Sequence, residues 1–185
     1  MSKLANVRVL MLSTDGYEEV ELFGPLQALR DAGAEVVLAS MDKQPITGVV
    51  YDATTGQSHP SSKSITPNLT LDEVDIEAFD ALVLPGGLVN PDKMRMQPEA
   101  VAIVAGMAGH GKTVAAICHA PWLLVEADLL RGRRATGWYS LRKDLENAGA
   151  TVVDEAVVVD GPLITSRMPD DIPAFNAALI DALSR

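Results

Sequence analysis

Cysteine is almost absent from this sequence, and histidine is scarce. Cys118 is the single cysteine among 185 residues, so an internal disulfide is impossible, whereas small secreted scaffolds normally need several. We therefore expect a reducing compartment. The three histidines are scattered along the chain and, together with one cysteine, give no metal-ligand spacing. Neither a metal nor any other cofactor is expected.

Positive charge and long apolar runs are also lacking. Fifteen basic against 25 acidic side chains give a net charge of -10, which repels phosphate backbones and anionic lipid head groups. No segment approaches the roughly 20 apolar residues of a membrane-spanning helix. The apolar run Val9–Leu12 is too short for the core of a signal peptide. We expect no nucleic-acid or membrane partner and a cytoplasmic location.

What is present is an ordinary globular composition, with 48% hydrophobic and 22% charged residues. The length fits one domain of about 150 residues or slightly more, and no repeat or linker divides it. The sequence predicts one domain over residues 1–185. Residues 41–70, here called the excursion, contain glycine, proline and a polar cluster, which predict a surface hairpin or flap. A functional loop and a plain solvated one remain equally open.

Short apolar runs alternate with helical patterns along the chain. Runs of this kind suit strands buried on both faces of a parallel sheet. The predicted strands are Val7–Leu12, Glu35–Ala39, Ala81–Leu84 and Thr113–Ile117. The predicted helices are Val20–Ala32, Pro98–Ala108, Ser140–Ala148 and Asp170–Leu183. This alternation predicts an α/β doubly wound sheet with helices on both faces.

A phosphate-binding motif is matched by residues 106–113, which read GMAGHGKT. Phosphate binding requires a strand before the glycine-rich loop and a helix after it, so that backbone amides and the helix dipole face the phosphates. Here a helix ends near Ala108 and a strand begins at Thr113. We therefore reject nucleotide binding.

The strongest chemical signal is Cys118, which follows the strand Thr113–Ile117 directly and precedes an apolar helical run. This strand-to-helix turn has the form of a nucleophile elbow, which needs small residues two positions before and after the nucleophile, as Ala116 and Ala120 are. A helix N-terminus favours thiolate, so we predict a pKa for Cys118 well below that of an ordinary thiol. The alternative is a small buried core cysteine, but the elbow context favours the nucleophile.

Three further segments are placed to meet this cysteine. His119 could exchange a proton with the thiol if the turn lets both side chains converge. The first loop, residues 14–21, follows the first strand, and one of its carboxylates could be buried and neutral beside the thiolate. For Glu19 and Glu21 we predict instead a role in stabilising the helix dipole.

The glycine loop, residues 85–87, leaves the third strand at the same edge of the sheet. Gly86 and Gly87 allow a backbone amide to turn inward, as an oxyanion hole requires, although a tight turn needs such glycines too. Gly86, Gly87 and Trp138 are the predicted oxyanion- and substrate-binding residues.

Together these segments resemble the ThiJ/PfpI superfamily, in its PfpI-like intracellular protease and general stress protein branch, a class I glutamine amidotransferase-like domain. The resemblance covers residues 7–169. The matching segments are DGYEEVEL (15–22), FDALVLPGG (79–87), AICHAP (116–121), NAGA (147–150) and VVVDG with the following TSRMP (157–169). The resemblance implies a flavodoxin-like three-layer sandwich and a homodimer or higher homo-oligomer.

The resemblance also implies roles for individual residues. Cys118 matches the nucleophile, His119 its neighbouring histidine and Glu18 the glutamate that contacts the thiolate. Asp92 is the best match to an acid that orients the histidine from the partner subunit. Three departures stand out: Ala120 replaces the glycine of the usual CHGP, Asp92 replaces a glutamate in a loop one residue longer, and the excursion is longer than in compact members.

We expect a cytoplasmic, cysteine-dependent stress-response enzyme that acts on a small carbonyl or peptide substrate. The family's activities include peptide hydrolysis and glyoxalase III-like or deglycase chemistry on reactive dicarbonyls, and the sequence leaves both open. The alternative is a non-catalytic stress protein in which Cys118 is oxidised as a redox sensor.

Overall fold

The computed structural model describes residues 3–184 and contains a sheet of mostly parallel strands between two layers of helices. The strands are β1 (Arg8–Leu12), β2 (Tyr17–Glu18), β3 (Glu35–Ser40), β4 (Ile46–Asp52), β5 (Gln57–Ile65), β6 (Leu69–Thr70), β7 (Ala81–Leu84), β8 (Thr113–Ile117), β9 (Arg134–Ala135), β10 (Thr151–Val152), β11 (Val157–Asp160) and β12 (Leu163–Ser166). The helices are α1 (Glu19–Asp31), α2 (Val89–Arg95), α3 (Pro98–Gly109), α4 (Pro121–Glu126), α5 (Arg142–Asn147) and α6 (Ile172–Leu183).

The main sheet has the strand order β11-β12-β8-β7-β1-β3-β6. All neighbouring pairs are parallel except β11 with β12, which are antiparallel. The four predicted strands form its centre, as β1, β3, β7 and β8. The prediction of a flavodoxin-like α/β sandwich is therefore confirmed.

Each central strand is buried on both faces because helices cover both. Leu10 and Leu12 of β1 pack into the core shared with α3, α4 and α5, while Val9 and Met11 pack into the core shared with α1 and α6. This two-residue alternation, with every position apolar, explains why the sequence shows continuous hydrophobic runs instead of alternating ones.

The excursion forms the antiparallel hairpin β4–β5, as one of the two sequence interpretations predicted. It does not join the main sheet. Instead β4 pairs in parallel with β2, with Tyr17 opposite Gly48 and Glu18 opposite Val49. Gly48 permits this approach, since a Cβ there would lie 2.6 Å from the Tyr17 carbonyl oxygen. The hairpin is thereby attached to the first loop at the carboxyl edge of the sheet.

The predicted helices are present with small changes at their starts. Residues 139–141 and 169–171 form 3₁₀ turns before α5 and α6, so these two helices begin later than predicted. The predicted order around GMAGHGKT is confirmed, because α3 ends at Gly109 and β8 begins at Thr113. Within residues 3–184, no helix combines the length and the apolar character needed to cross a membrane.

The double-sided burial of the central strands predicts a large cost for truncating one of their side chains. Leu82 on β7 is fully buried, so Leu82→Ala should lower the free energy of unfolding by about 2–5 kcal/mol. Val159 on the edge strand β11 is half exposed, and Val159→Ala should change it by less than about 0.5 kcal/mol. Urea denaturation of both variants measures the difference. Equal effects would contradict the assigned core.

Candidate active site

Cys118 lies at a strained turn between β8 and α4. Its φ of 63° is in the left-handed region that residues other than glycine rarely adopt. Two backbone hydrogen bonds hold it there: the Cys118 N–H donates to Ser166 O at 3.1 Å, and Trp138 N–H donates to Cys118 O at 2.8 Å. The nucleophile-elbow geometry is thus confirmed. Ala120 has an ordinary φ of -58°, so the glycine usual at this position is not required here.

His119 converges on the thiol although it is the next residue in sequence. Its Nδ1 lies 3.2 Å from Cys118 Sγ. The imidazole is buried between two indole rings, stacked on Trp138 with ring centroids 5.7 Å apart and tilted against Trp122 at 5.2 Å. Burial lowers the pKa of His119 to about 4, so the ring is neutral at neutral pH and Nδ1 can accept a proton.

Glu21 is the carboxyl group beside the thiol. Its side chain is fully buried, and the Gly87 N–H donates to its Oε2 at 3.2 Å. The Glu21 carboxyl lies beside the Cys118 side chain, because both border Gly86, where an added Cβ would clash with Glu21 Oε2 and lie 2.6 Å from Cys118 Cβ. Burial raises the pKa of Glu21 to about 8, and the neighbouring Glu18 contributes to the rise. Among the described residues, Glu21 Oε1 has no hydrogen-bond partner.

The prediction that Glu21 only stabilises the helix dipole is therefore wrong. Glu21, Pro25 and Leu29 recur every four residues on the buried face of α1, whereas Glu19 lies two residues away, on the other side. Glu19 instead accepts hydrogen bonds from Ser61 and Lys63 of the hairpin. The four-residue spacing of Glu21 from Pro25 was the available sequence signal.

The expectation that Glu18 contacts the thiolate is also not met, because its side chain is directed to the hairpin. Its two carboxylate oxygens accept the Tyr51 N–H at 3.3 and 3.1 Å. Burial raises the pKa of Glu18, while the hydrogen bond from Tyr51 lowers it by less. The thiol contact that the resemblance assigned to Glu18 belongs to Glu21, one helical turn further along. Glu18 still lines the same cavity.

The prediction that the pKa of Cys118 lies well below that of an ordinary thiol is also wrong. Burial and the Glu21 carboxyl raise the pKa of Cys118, and they outweigh the N–H groups of Gly87 and His119, which lower it. Two acids in contact in a buried site cannot both ionise easily, so the pair carries at most one negative charge near neutral pH.

The glycine loop packs tightly against this pair. A Cβ at Gly86 would lie 2.6 Å from Cys118 Cβ, and a Cβ at Gly87 would lie 2.7 Å from the Glu18 backbone nitrogen. Gly87 also has a φ of 81°, which favours glycine. Both positions therefore require glycine, and the N–H of Gly87 faces inward.

A cavity of about 450 Å³ opens above Cys118. The elbow, the first loop, the glycine loop and the hairpin all contribute to its wall. Its lining includes Trp138 and the hairpin residues Val49, Tyr51 and Ser58, with the rings of Tyr51 and Trp138 in edge contact at 5.5 Å. The excursion is thus part of the cavity wall. In the described part of the chain, no three His, Cys, Asp or Glu side chains are grouped as metal ligands.

Asp92 is not brought to this cavity within one chain. It lies exposed in the first turn of α2 and is not among the described residues that line the cavity. Leu88 and Val89, at the start of the same helix, are 57% and 45% exposed and form part of the rim. A role for Asp92 requires a second copy of the chain and stays a prediction.

The chain is similar to known proteins over nearly its whole length. A model of the DJ-1/PfpI family matches residues 7–182. Deglycase PfpI of Pyrococcus furiosus is 40% identical over 177 residues, covering 96% of this chain and 99% of that protein. General stress protein 18 of Bacillus subtilis is 37% identical over 179 residues, covering 96% and 98%. A solved two-domain protein of Anabaena variabilis, with DJ-1/ThiJ/PfpI-like and ferritin-like domains, matches with a TM-score of 0.87 at 40% identity, covering 96% of this chain and 48% of that one. The resemblance drawn from the motifs is confirmed, and the chain belongs to the DJ-1/PfpI family.

Proposed function

We propose that this protein is a cysteine-dependent, cytoplasmic stress-response enzyme that converts reactive dicarbonyl compounds or their adducts, with Cys118 as nucleophile. The observation that carries the proposal is the buried placement of the Cys118 thiol beside the Glu21 carboxyl, whose pKa is raised to about 8, and beside a neutral imidazole, His119. A nucleophile with an acid–base group on each side suits addition to a carbonyl carbon. The relative named deglycase PfpI supports this choice.

The reaction with methylglyoxal illustrates the proposed chemistry. Cys118 Sγ attacks the aldehyde carbon, its proton passes to the Glu21 carboxylate, and Glu21 gives this proton to the carbonyl oxygen, which forms a hemithioacetal. The N–H groups of Gly87 and His119, which lower the pKa of Cys118, would stabilise negative charge on that oxygen. The Glu21 carboxylate then removes the proton of this carbon to give an enediol and returns it to the neighbouring carbon, while the hydroxyl proton passes from the first oxygen to the second, which leaves a thioester. Water, activated by His119, cleaves the thioester to lactate and restores the thiol.

This function predicts dicarbonyl turnover that depends on one sulfur atom. Wild-type protein should convert methylglyoxal to lactate, and Cys118→Ala should abolish the conversion. A parallel assay with a fluorogenic peptide tests the peptidase alternative. Measurement of the intact mass after treatment with mild peroxide tests the redox-sensor alternative. Oxidation of Cys118 to sulfinic acid without turnover of either substrate would overturn the enzyme proposal.

The raised pKa of Glu21 predicts the pH dependence of this turnover. Its carboxylate form, which accepts the thiol proton, appears as pH rises through about 8, so kcat should rise over that range. Glu21→Gln should lower kcat by about 10²-fold or more and remove the rise. It should not slow alkylation of Cys118 by iodoacetamide at pH 7, because the carboxyl that raises the thiol pKa is gone.

The matched control is Glu19→Gln, two residues away in the same turn of α1. Glu19 is paired with Lys63 and is not among the described residues lining the cavity. This variant should keep the wild-type kcat, pH profile and alkylation rate. A Glu21→Gln enzyme with a wild-type pH profile would contradict the role given to Glu21.

We further propose that a homodimer places Asp92 of one chain against His119 of the other. Two observations support this: Leu88 and Val89, at the rim of the cavity, are 57% and 45% exposed, and Met96, directly after α2, is 65% exposed. Exposed apolar groups of this kind suit a second copy of the chain. A carboxylate that accepts from Nε2–H of His119 would leave the Nδ1 lone pair facing the thiol.

Mixing two defective chains tests this arrangement. Asp92→Asn should lower kcat by about 10-fold, since His119 loses its orientation, and Cys118→Ala should be inactive. A heterodimer of these chains contains one intact site, so mixing should restore about half of the wild-type activity per heterodimer. Native mass spectrometry counts the heterodimers. Confirmed heterodimers without recovery would show that Asp92 does not act across the interface.

A further inference from the structure

Asn90 is a buried polar residue to which the proposed reaction assigns no role. It lies at the start of α2, three residues after Gly87, and is 1% exposed. Its side chain makes three hydrogen bonds. Oδ1 accepts the N–H of Thr14 at 2.8 Å, and Nδ2 donates to the carbonyl oxygens of Pro85 at 2.9 Å and Gly86 at 3.1 Å.

The bond to Gly86 O fixes more than that carbonyl. In a planar trans peptide, the carbonyl of one residue and the N–H of the next point in opposite directions. Asn90 therefore holds one side of the Gly86–Gly87 peptide, and the opposite side presents the Gly87 N–H to Glu21 Oε2 at 3.2 Å. Without such a tether, two consecutive glycines leave the peptide free to rotate.

We propose that Asn90 is a positioning residue that holds the Gly86–Gly87 peptide so that the Gly87 N–H faces the Cys118–Glu21 pair. Asn90 acts only through that peptide. Its importance for turnover rests on the proposed function, whereas its effect on the thiol does not.

The surroundings of Asn90 explain why an amide is needed here. A single side chain must accept from Thr14 in the first loop and donate twice to the glycine loop, and asparagine supplies both an acceptor and two donors. The tether also joins the two loops that flank the thiol. The Gly87 N–H lowers the pKa of both Cys118 and Glu21, so rotation of this peptide should be detectable at either group.

The test compares Asn90→Asp with Asn68→Asp. The first variant keeps an acceptor for Thr14 but has no N–H for the glycine loop, and even when protonated it has one O–H in place of two donors. Asn68 also accepts a backbone N–H, that of Leu38 at 2.9 Å, but it lies by the edge strand β6 and is not among the described residues of the cavity wall. Asn90→Ala, which removes both donors without adding charge, is the second variant if Asn90→Asp does not fold. Circular dichroism establishes folding of each.

Two readouts separate positioning from stability. The first is the rate of Cys118 alkylation by iodoacetamide between pH 6 and 10, which needs no turnover, and the second is kcat and KM for methylglyoxal. For Asn90→Asp we expect the alkylation profile to move to higher pH, with a rate at pH 7 about 10-fold lower. We expect kcat to fall by about 10- to 100-fold with little change in KM, because the lost donor acts in the transition state. Asn68→Asp should match the wild type.

A folded Asn90 variant with a wild-type alkylation profile would overturn the proposal. The same conclusion follows if kcat and KM change but the alkylation profile does not, because the Gly87 N–H would then be unaffected. If the wild type shows no methylglyoxal turnover, the proposed function fails, and the alkylation profile still decides the role of Asn90.

Discussion

The contact between the Glu21 carboxyl and the Cys118 thiol is the constraint on which the rest of the site depends. Burial raises the pKa of both groups, and the Glu21 carboxyl raises that of Cys118 further, so a proton must remain with the pair at neutral pH. That proton makes the pair chemically useful, because it can move from sulfur to oxygen as the sulfur attacks. The arrangement persists only while water is kept out and backbone N–H groups compensate the burial.

The surrounding elements meet those two requirements. The elbow places the sulfur at the carboxyl edge of the sheet, where the loops after β1 and β7 also emerge. Gly86 lets the backbone approach the pair, and Gly87 lets it approach the backbone of the first loop, at distances that no side chain would tolerate. The hairpin of the excursion covers the first loop and is tied to it by the hydrogen bond from Tyr51 to Glu18. Burial of the site is thus a joint product of four chain segments.

Local sequence was sufficient wherever a feature depends on neighbouring residues. The four central strands follow from continuous apolar runs, and the elbow follows from Cys118 between a strand and a helix with Ala116 and Ala120 around it. The requirement for glycine at residues 86 and 87 was visible as a motif, although its cause, the approach of Cys118 and Glu18, was not. Family membership could also be predicted from the motifs, because the turns that these motifs form accept few residue types.

Only the tertiary structure decided which carboxyl meets the thiol and how the thiol titrates. Glu18, Glu19 and Glu21 are the same residue type and lie within four positions of the sequence. The rotation of α1 against the sheet buries Glu21 beside Cys118, whereas Glu18 is directed to the hairpin and Glu19 pairs with Lys63. The low pKa of Cys118 was predicted from the nearby helix end and from a neutral Glu18 beside the thiolate, whereas burial and Glu21 raise the pKa instead. The sequence by itself determined the four central strands, the elbow and the family. Burial and long-range contacts determined the charge states and the tether at Asn90, because both depend on groups that are distant along the chain and meet only after folding.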